Sequence, residues 1–555
     1  MKANFKPLGL AAAVAAATAG YSGVVNAQTV AANGLGDLAL VPYYTVQGDF
    51  GTGVHVINSS AATQVVKVRF RRGSDSLDAL DFNLIMSPYD EWTGFLSKDS
   101  DGAIAISTQD TTCTSPIFDN GGKKLEMRNI YRDGADEGYV EVIAMGSPVS
   151  ETEPLAVNAL HGADGLPENC VFADQNFLDA YLGSASDIRG VHNNALTAGP
   201  VLDATGAQII DTTAYTDSDD VLKVSWFIRD DKQGLEFGND AVHIAGFSAG
   251  PMITHQEQGI FSGNLRGFDF PDLNGGAPNT VPGGDGTAFD WIVGTWVPEL
   301  AKYNALRQGD VLGVSSVLND WSNNSDLNVG TDWIVTIPGQ YLMVDQPLYF
   351  QSLGNFGGLG EGPGGVIGGG DTPCGLGTCD FRDLPVRAVL DVWDREENVA
   401  VSPPGDRDTV VSPAIPGQPK PTTQLRYEVN VIHWGEEVVD SIYDEVDVSG
   451  LLALLAPANS GWAKLTISSN QVPGQTRPYQ SVCTWDGGYF EGPLDLPGAP
   501  NYDPNDPMTC VPGDAEGAPP MIGFVAWQRS FPENPDGNYG RAVAHSFESG
   551  PVSNP

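Results

Sequence analysis

The sequence of 555 residues predicts an all-β protein of two Ig-like antiparallel β-sandwich domains with loop and short helical insertions. Runs rich in Val, Ile, Tyr and Phe, many of them alternating with polar residues, recur in both halves of the chain. Short stretches of Gly, Asn, Asp and Ser separate these runs, which is typical of antiparallel connections. The 67 Gly and 39 Pro residues also favour strands and loops over helical bundles.

The first predicted domain covers residues 28–258. Its early strands are predicted over 38–46, 53–58, 64–71, 80–86, 103–107 and 138–145. In the third of these, Val66, Val68 and Phe70 alternate with Lys67 and Arg69, so that apolar and basic side chains face opposite sides of the sheet. Residues 147–218 break the strand pattern and predict an insertion with a helix over 168–182. Strands over 221–228 and 241–247 then complete the sandwich.

The second predicted domain covers residues 259–555 and is again rich in β-strands. A helix is expected to begin at Val297-Pro298-Glu299, because Pro and an acidic residue favour the first turn. Strands are predicted over 333–337, 340–344, 425–434, 462–468 and 521–530. Residues 353–422 form a Gly/Pro-rich excursion, in which 354–370 contain ten Gly, and such a segment cannot bury a core of its own.

The first 27 residues predict a signal peptide. Lys2 and Lys6 precede an Ala-rich apolar stretch over 8–19, and Val25-Asn26-Ala27 offers small residues for cleavage. No later segment approaches the roughly 18 consecutive apolar residues of a membrane-spanning helix. We therefore expect an exported protein, on the cell surface or outside the cell, with the periplasm as the alternative.

The six cysteines fit an oxidising compartment. They form three couples along the chain, and we predict disulfides Cys113–Cys170, Cys374–Cys379 and Cys483–Cys510 among the 15 possible pairings. The gap between Cys374 and Cys379 differs from that of a thioredoxin-like site, and no clustered His or Cys indicates a transition-metal centre.

The formal charge of −42 argues against nucleic acid as a partner, because a phosphate backbone requires a concentrated basic surface. Carboxylates instead cluster on predicted turns. Asp99, Asp101, Asp217 and Asp219 are the candidate ligands for Ca²⁺, which prefers hard oxygen donors. No cluster completes an EF-hand loop, and a solvated acidic surface is the favoured interpretation of these groups. No other cofactor is predicted.

Residues 246–250 match the G-x-S-x-G pattern, which makes Ser248 a candidate nucleophile and His255 its candidate partner. Pro251 follows directly, however, where the nucleophile elbow requires a helix. A turn or strand role for Ser248 is therefore favoured. Five tryptophans are candidates for lining a carbohydrate or lipid groove, although their apolar neighbours favour core packing: Trp226, Trp291, Trp296, Trp321 and Trp333.

Several segments of the chain resemble a family of exported proteobacterial proteins described as hypothetical or cell-surface proteins. The resemblance rests on GDLALVPYYTV at 36–46, SPYDEWTG at 87–94, GPMITHQ at 250–256, VLNDW at 317–321 and TDWIVT at 331–336. It spans nearly the whole chain after the predicted signal peptide. It implies export and a surface location, and it carries no catalytic or binding residues.

These observations favour a non-enzymatic exported protein with a structural, adhesive or layer-forming role, whose partners are other copies of itself or other cell-surface components. Two alternatives stay open. One is an exported hydrolase of ester or glycan bonds that uses Ser248, His255 and the abundant carboxylates. The other is a periplasmic carrier that holds a hydrophobic or sugar ligand between the two β-domains.

Overall fold

A computed structural model provides the structure of the protein. It describes residues 28–74, 76, 78–118, 123–127, 132, 134–178, 201–202, 208–209, 214–248, 250–253, 271–275, 301–339, 386–399, 423–425, 427–435, 437–442, 446–452, 458–467, 481–484, 509–512, 519–531 and 533–549. The predicted signal peptide, most of the Gly/Pro-rich excursion and the predicted strand over 340–344 lie outside these residues.

The first half of the chain contains sixteen described strands and two helices. They are β1 (Thr29–Val30), β2 (Leu38–Thr45), β3 (Phe50–Asn58), β4 (Gln64–Arg72), β5 (Asp78–Met86), β6 (Glu91–Lys98), β7 (Ile104–Ser107), β8 (Cys113–Ser115), β9 (Lys124–Glu126), β10 (Glu137–Pro148), β11 (Val201–Leu202), β12 (Gln208–Ile209), β13 (Tyr215–Thr216), β14 (Leu222–Asp230), β15 (Leu235–Asp240) and β16 (Val242–Ala245), with α1 (Pro154–Ala159) and α2 (Cys170–Leu178).

The described part of the second half contains twelve strands and three short helical segments. They are β17 (Ser316–Ser322), β18 (Val329–Thr336), β19 (Val386–Asp394), β20 (Thr423–Leu425), β21 (Val429–His433), β22 (Val446–Asp447), β23 (Ser460–Ile467), β24 (Ser481–Thr484), β25 (Thr509–Pro512), β26 (Ile522–Arg529), β27 (Tyr539–Ala544) and β28 (Ser546–Glu548), with α3 (Ala301–Leu306), α4 (Ser449–Leu452) and a 3₁₀ turn at Pro535–Gly537. The all-β class predicted from the sequence is confirmed.

Four sheets carry most of the fold. Sheet A has the order β1-β16-β2-β10-β4-β5-β8, with β13 paired to β10, and sheet B has the order β15-β14-β3-β6-β7-β9. Sheet C has the order β20-β19-β23-β17-β28, and sheet D has the order β22-β21-β18-β26-β27. The described pairings are antiparallel, apart from the parallel pair β21–β22. Two short ribbons, β11–β12 and β24–β25, stand outside these sheets.

Sheets A and B share one apolar core, in which Val68 of β4 and Val142 of β10 pack with Val56 of β3 and Trp92 of β6. Sheets C and D share another, which contains Trp321, Trp333, Trp434 and Leu465. Alternate residues of sheet D serve both cores: Trp333 belongs to the second core, whereas its neighbour Ile334 belongs to the first. Both faces of β18 are therefore buried, which agrees with the unbroken apolar run Trp333-Ile334-Val335 at its centre.

Contacts between side chains and loops also join the two halves of the chain. The rings of Trp226 and Phe524 lie 4.7 Å apart. The buried Glu137 carboxylate accepts hydrogen bonds from the Tyr43 hydroxyl at 2.7 Å and from the Ile442 backbone N–H at 2.6 Å. At these described contacts the two halves of the chain touch each other directly. The carrier hypothesis would instead require space for a ligand between them.

The basic side chains that alternate along β4 are buried. Lys67 pairs with Asp81 of β5 at 3.0 Å, and Arg71 pairs with Glu141 of β10 at 2.8 Å, with all four side chains at most 3% exposed. Arg69 lies between these pairs and donates to the Pro271 carbonyl oxygen at 2.8 Å. Alternation predicted that these residues share a face, but the face lies inside the protein and its charges are neutralised by cross-strand partners.

Candidate functional site

The segment after β10, residues 149–178, is fixed to sheet A and is named the insert. Its helices are short, but each buries one face: Leu155 and Ala159 of α1 and Phe177 of α2 join Val65 and Ile85 of sheet A in a small apolar core. The observed α2 lies within the helix predicted over 168–182, whose last residues are outside the described part of the chain. The insert therefore stands on a folded base.

A disulfide also attaches the insert to β8. Cys113 and Cys170 are bonded, with an S–S distance of 2.06 Å, as predicted from the sequence. Cys483 and Cys510 are directly opposite each other in the β24–β25 ribbon, a register that agrees with their predicted pairing. Cys374 and Cys379 lie outside the described residues.

His161 joins the insert to the turn between β5 and β6. Its Nδ1 lies 3.0 Å from the Ser87 hydroxyl and 3.8 Å from the Asp90 carboxylate, and its Nε2 lies 3.2 Å from the Thr111 hydroxyl. The Thr111 hydroxyl also donates to the Gly165 carbonyl oxygen at 3.0 Å. Since that hydroxyl has one proton, which the Gly165 carbonyl accepts, His161 donates to Thr111 through Nε2–H.

Asp90 is the acidic member of this cluster. Its carboxylate accepts hydrogen bonds from the Ser87 backbone N–H at 3.1 Å and from the Thr112 hydroxyl at 3.2 Å. Burial raises the pKa of Asp90, although His161 and the Ser87 N–H act in the opposite direction. Next to it, Tyr89 has φ +60° and is 70% exposed. A large aromatic residue in that conformation marks a locally strained turn.

The segments that carry this cluster also carry exposed apolar side chains. Of the twelve large apolar residues that are clearly exposed in the described part of the chain, six belong to the insert or to this turn: Tyr89, Val149, Val157, Leu160, Leu166 and Val171. Hydrogen bonds fold the insert on itself, from the Gly162 N–H to the Leu166 carbonyl at 2.8 Å and from the Asn169 N–H to the Asn158 carbonyl at 2.8 Å. Such a concentration of exposed apolar groups is typical of a binding surface.

The charge of the insert has one sign. Residues 149–178 contain five carboxylates and neither lysine nor arginine. Glu151 is used internally, because it accepts hydrogen bonds from the Thr63 N–H and hydroxyl, each at 2.7 Å. Asp164 and Glu168 are exposed on the same segment as the apolar residues, and this acidic surface favours partners with basic groups.

The four candidate calcium ligands lie in two separate turns. The Asp99 carboxylate accepts the Ala103 N–H at 2.7 Å, and a hydrogen bond between Asp99 and Asp101 lowers the pKa of Asp99 and raises that of Asp101. Asp217 accepts the Ser248 hydroxyl at 2.6 Å, whereas the carbonyl of Asp219 accepts the Ser218 hydroxyl at 3.4 Å. Across the described ranges, no three His, Cys, Asp or Glu side chains form a group suited to a metal ion.

Ser248 lies in a loop after β16 rather than on a strand-to-helix elbow. The Asp37 carboxylate accepts hydrogen bonds from the backbone N–H groups of Phe247, at 2.9 Å, and of Ser248. Donors of this kind would have to face a substrate oxyanion in a hydrolase, and here they face a carboxylate of the protein. His255, the predicted partner, lies outside the described residues.

The structure separates buried from exposed indoles. Trp226, Trp321 and Trp333 are in the core, as their apolar neighbours indicate, and Trp291 and Trp296 lie outside the described residues. Trp462 is 43% exposed and stacks on Trp393. The sequence analysis did not single out this pair. In β19 and β23, however, the indoles and charged residues alternate with apolar residues, and this pattern indicates that they lie on an outward face.

No helix in the described ranges combines the length and the apolar character needed to cross a membrane. Comparison of the chain with protein families, with curated proteins and with solved structures finds no match.

Proposed function

We propose that this chain is an exported, non-enzymatic protein with an adhesive or structural role at the cell surface or outside the cell, and that the insert is its contact face. The observation that carries the proposal is the concentration of exposed Val and Leu side chains on the insert, which is held by the Cys113–Cys170 disulfide and by the contact of His161 with the turn that carries exposed Tyr89. Burying apolar surface is favourable by about 25 cal/mol per Å², so these side chains favour association.

The way in which the insert is held supports a role in binding. A contact surface that is already ordered loses less conformational entropy when its partner arrives. Helices as short as α1 and α2 would not persist alone in water, and their packing on Val65 and Ile85 together with the disulfide keeps them in place. Since the insert also carries exposed acidic residues, the partner we propose has an apolar contact area flanked by basic groups.

Export is part of the proposal and is supported by the predicted leader over residues 1–27 and by the Cys113–Cys170 disulfide. We also propose that each half of the chain is an Ig-like sandwich. The packing of sheet A on sheet B and of sheet C on sheet D supports this.

The test uses the full chain and polystyrene beads that carry either amino or carboxyl groups. We expect depletion of the protein by amino beads, weaker depletion in high salt, and little by carboxyl beads. Replacing Leu160 and Leu166 together by Ser should abolish most of the binding. The matched control replaces Leu327 and Ile442, which are as exposed but lie elsewhere, by Ser and should bind like the unchanged protein.

If the amino beads deplete both double variants equally, the insert is not the contact face. Cell fractionation tests the location: proteases added to intact cells should digest the protein, and complete protection inside the periplasm would contradict a surface role.

A hydrolase is the second candidate, and the His161 cluster is the observation that favours it. In such a relay His161 would carry its proton on Nδ1, facing Asp90, rather than on Nε2. The Thr111 hydroxyl would attack an ester carbonyl and pass its proton to Nε2, which would give that proton to the departing alcohol. Water, losing a proton to Nε2, would then attack the acyl group, and that proton would return to the Thr111 oxygen as the free acid leaves. Turnover of p-nitrophenyl acetate that disappears in both Thr111→Val and His161→Ala, but persists in Ser248→Ala, would establish this activity in place of the adhesive role. Equal rates in all three variants would exclude it.

A further inference from the structure

The outer face of sheet C carries a row of three side chains that face the solvent. Trp393 of β19 is directly opposite Trp462 of β23, and Trp462 is directly opposite Asp320 of β17. The two indoles stack with ring centroids 4.1 Å apart and an angle of 11° between their planes. Trp393 is half-buried, Trp462 is 43% exposed, and Asp320 is exposed.

Strand alternation explains why these indoles point outward. Their neighbours Val392 and Ala463 are fully buried in the core between sheets C and D, so Trp393 and Trp462 must lie on the opposite face. Each indole is a large apolar surface, and a partly exposed pair is costly unless it meets a ligand. Stacking also limits the rotamers of both rings, which prepares the surface for binding.

The open ring face of Trp462 is directed toward Asp320. Trp393 covers one face of Trp462, so the other face is turned to β17, where Asp320 is the directly opposite residue on the same side of the sheet. A ligand on this face meets an apolar plane and, beside it, a carboxylate that accepts hydrogen bonds from hydroxyl groups.

The remaining charges near this row do not form a positive surface, because exposed Glu396 and Glu397 follow exposed Arg395 directly after β19. Lys464, two residues after Trp462, forms an ion pair with Glu548 of β28, and Glu548 also accepts the Ser316 hydroxyl at 2.6 Å. The local surface therefore has no excess of positive charge for an anionic ligand. The chain as a whole carries a formal charge of −42, which repels polyanions.

We infer that this face, the Trp393–Trp462–Asp320 row, is a binding site for a neutral polysaccharide. A pyranose ring has one face of C–H groups, which packs against an indole, and a rim of hydroxyl groups, which donate to a carboxylate. A lipid or a protein partner would need a wider apolar area than one indole face bordered by charged residues. The site is independent of the insert and adds a ligand class to the proposed function.

The experiment is electrophoresis of the full chain in native gels that contain a dissolved polysaccharide. Hydroxyethyl cellulose, dextran, laminarin and xylan are the neutral probes, and alginate is the anionic probe. We expect retardation by at least one neutral polymer and none by alginate. Trp462→Ala should raise the dissociation constant at least about tenfold, as is typical when a central aromatic contact is removed, and Asp320→Asn should raise it several-fold.

Tyr539→Ala is the matched control, because Tyr539 is an aromatic residue that is 51% exposed on β27 of sheet D. It should bind like the unchanged protein, and melting curves verify that all variants fold. Asp320→Asn keeps the size of the side chain, so it tests the site even if Trp462→Ala unfolds. Lack of retardation by all four neutral polymers, or equal binding by the Trp462→Ala, Asp320→Asn and unchanged chains, would overturn the inference. Since the bead assay uses the insert, the two proposals fail separately.

Discussion

Asp37 and Ser248 meet although they are 211 positions apart, because the Asp37 carboxylate accepts the hydrogen bond of the Ser248 backbone N–H. The same carboxylate accepts the Phe247 N–H at 2.9 Å. The loop after β16 is thereby tied to the start of β2. Asp37 is 1% exposed, so both N–H groups depend on it rather than on water.

Asp37→Ala should therefore lower the free energy of unfolding by about 2–4 kcal/mol, since it leaves two buried donors without an acceptor. Urea denaturation followed by tryptophan fluorescence measures the change. The control is Asp49→Ala, which removes an exposed carboxylate paired with Lys232 and should change stability by less than about 1 kcal/mol. Equal effects of the two substitutions would contradict the role assigned to Asp37.

The pH dependence of Asp37 has a defined sign. Burial raises its pKa to about 7, and the nearby Asp220 acts in the same direction. Between the ordinary value of 3.8 and about 7, the folded chain holds a proton that the unfolded chain has lost, so the contribution of this group to stability falls as pH rises through that range. Asp37→Asn stays neutral. The free energy of unfolding of the unchanged protein, measured relative to that of this variant, should therefore decrease from pH 4 to 7 and then level off. A difference that stays constant with pH would contradict this prediction.

His545 should show the opposite slope. Burial lowers its pKa to about 3, and the ring lies 3.0 Å from the Ile334 carbonyl oxygen through Nε2. Below pH 6.5 the unfolded chain takes up a proton that the folded chain excludes, so stability from this group is lost as pH falls from 6.5 towards 3. We expect His545→Gln to be destabilising by about 1–3 kcal/mol at pH 7. Thermal melts should show this difference narrowing on acidification; a difference that widens would refute the assignment.

The buried pair Lys67–Asp81 provides a further prediction. Lys67→Met removes one cation that balances the buried Asp81 carboxylate and should cost about 3–5 kcal/mol. Adding Asp81→Leu removes the carboxylate as well and should recover most of that loss. Denaturation of both single variants and the double variant measures the coupling, and additive losses would show that the two residues act independently.

Sequence patterns predicted many strands, but they missed β19 (Val386–Asp394), which packs in the core of sheets C and D although it lies inside the Gly/Pro-rich excursion predicted over 353–422. The strand expected over 64–71 is observed as Gln64–Arg72, and that expected over 138–145 as Glu137–Pro148. Alternation reveals which residues share a face, but not what covers that face, and this is why the burial of Lys67 and Arg69 was not foreseen. The second core of sheet D is a similar case, since the sequence does not tell which sheet packs behind β18.

The candidate sites were harder to predict because they depend on residues far apart in the chain. Ser87 and His161 are 74 positions apart, and neither residue type is unusual in its own segment. Trp462 and Asp320 meet only through the register of β17 and β23. By contrast, the Cys113–Cys170 pair was predictable, because the six cysteines fall into three couples that each lie within one segment of the chain.

The disulfide prediction extends this reasoning to all six cysteines. Closing the segment between Cys113 and Cys170, which are 57 positions apart, should stabilise the folded chain by about 2–4 kcal/mol, because the bond restricts the unfolded state. Cys113→Ser/Cys170→Ser should lower the midpoint of urea denaturation accordingly and weaken binding through the insert, while binding by the Trp393–Trp462–Asp320 row remains.

Peptide mapping of the unreduced protein should recover Cys113 with Cys170, Cys374 with Cys379 and Cys483 with Cys510. Thiols that react in the denatured, unreduced chain would contradict the three predicted bonds.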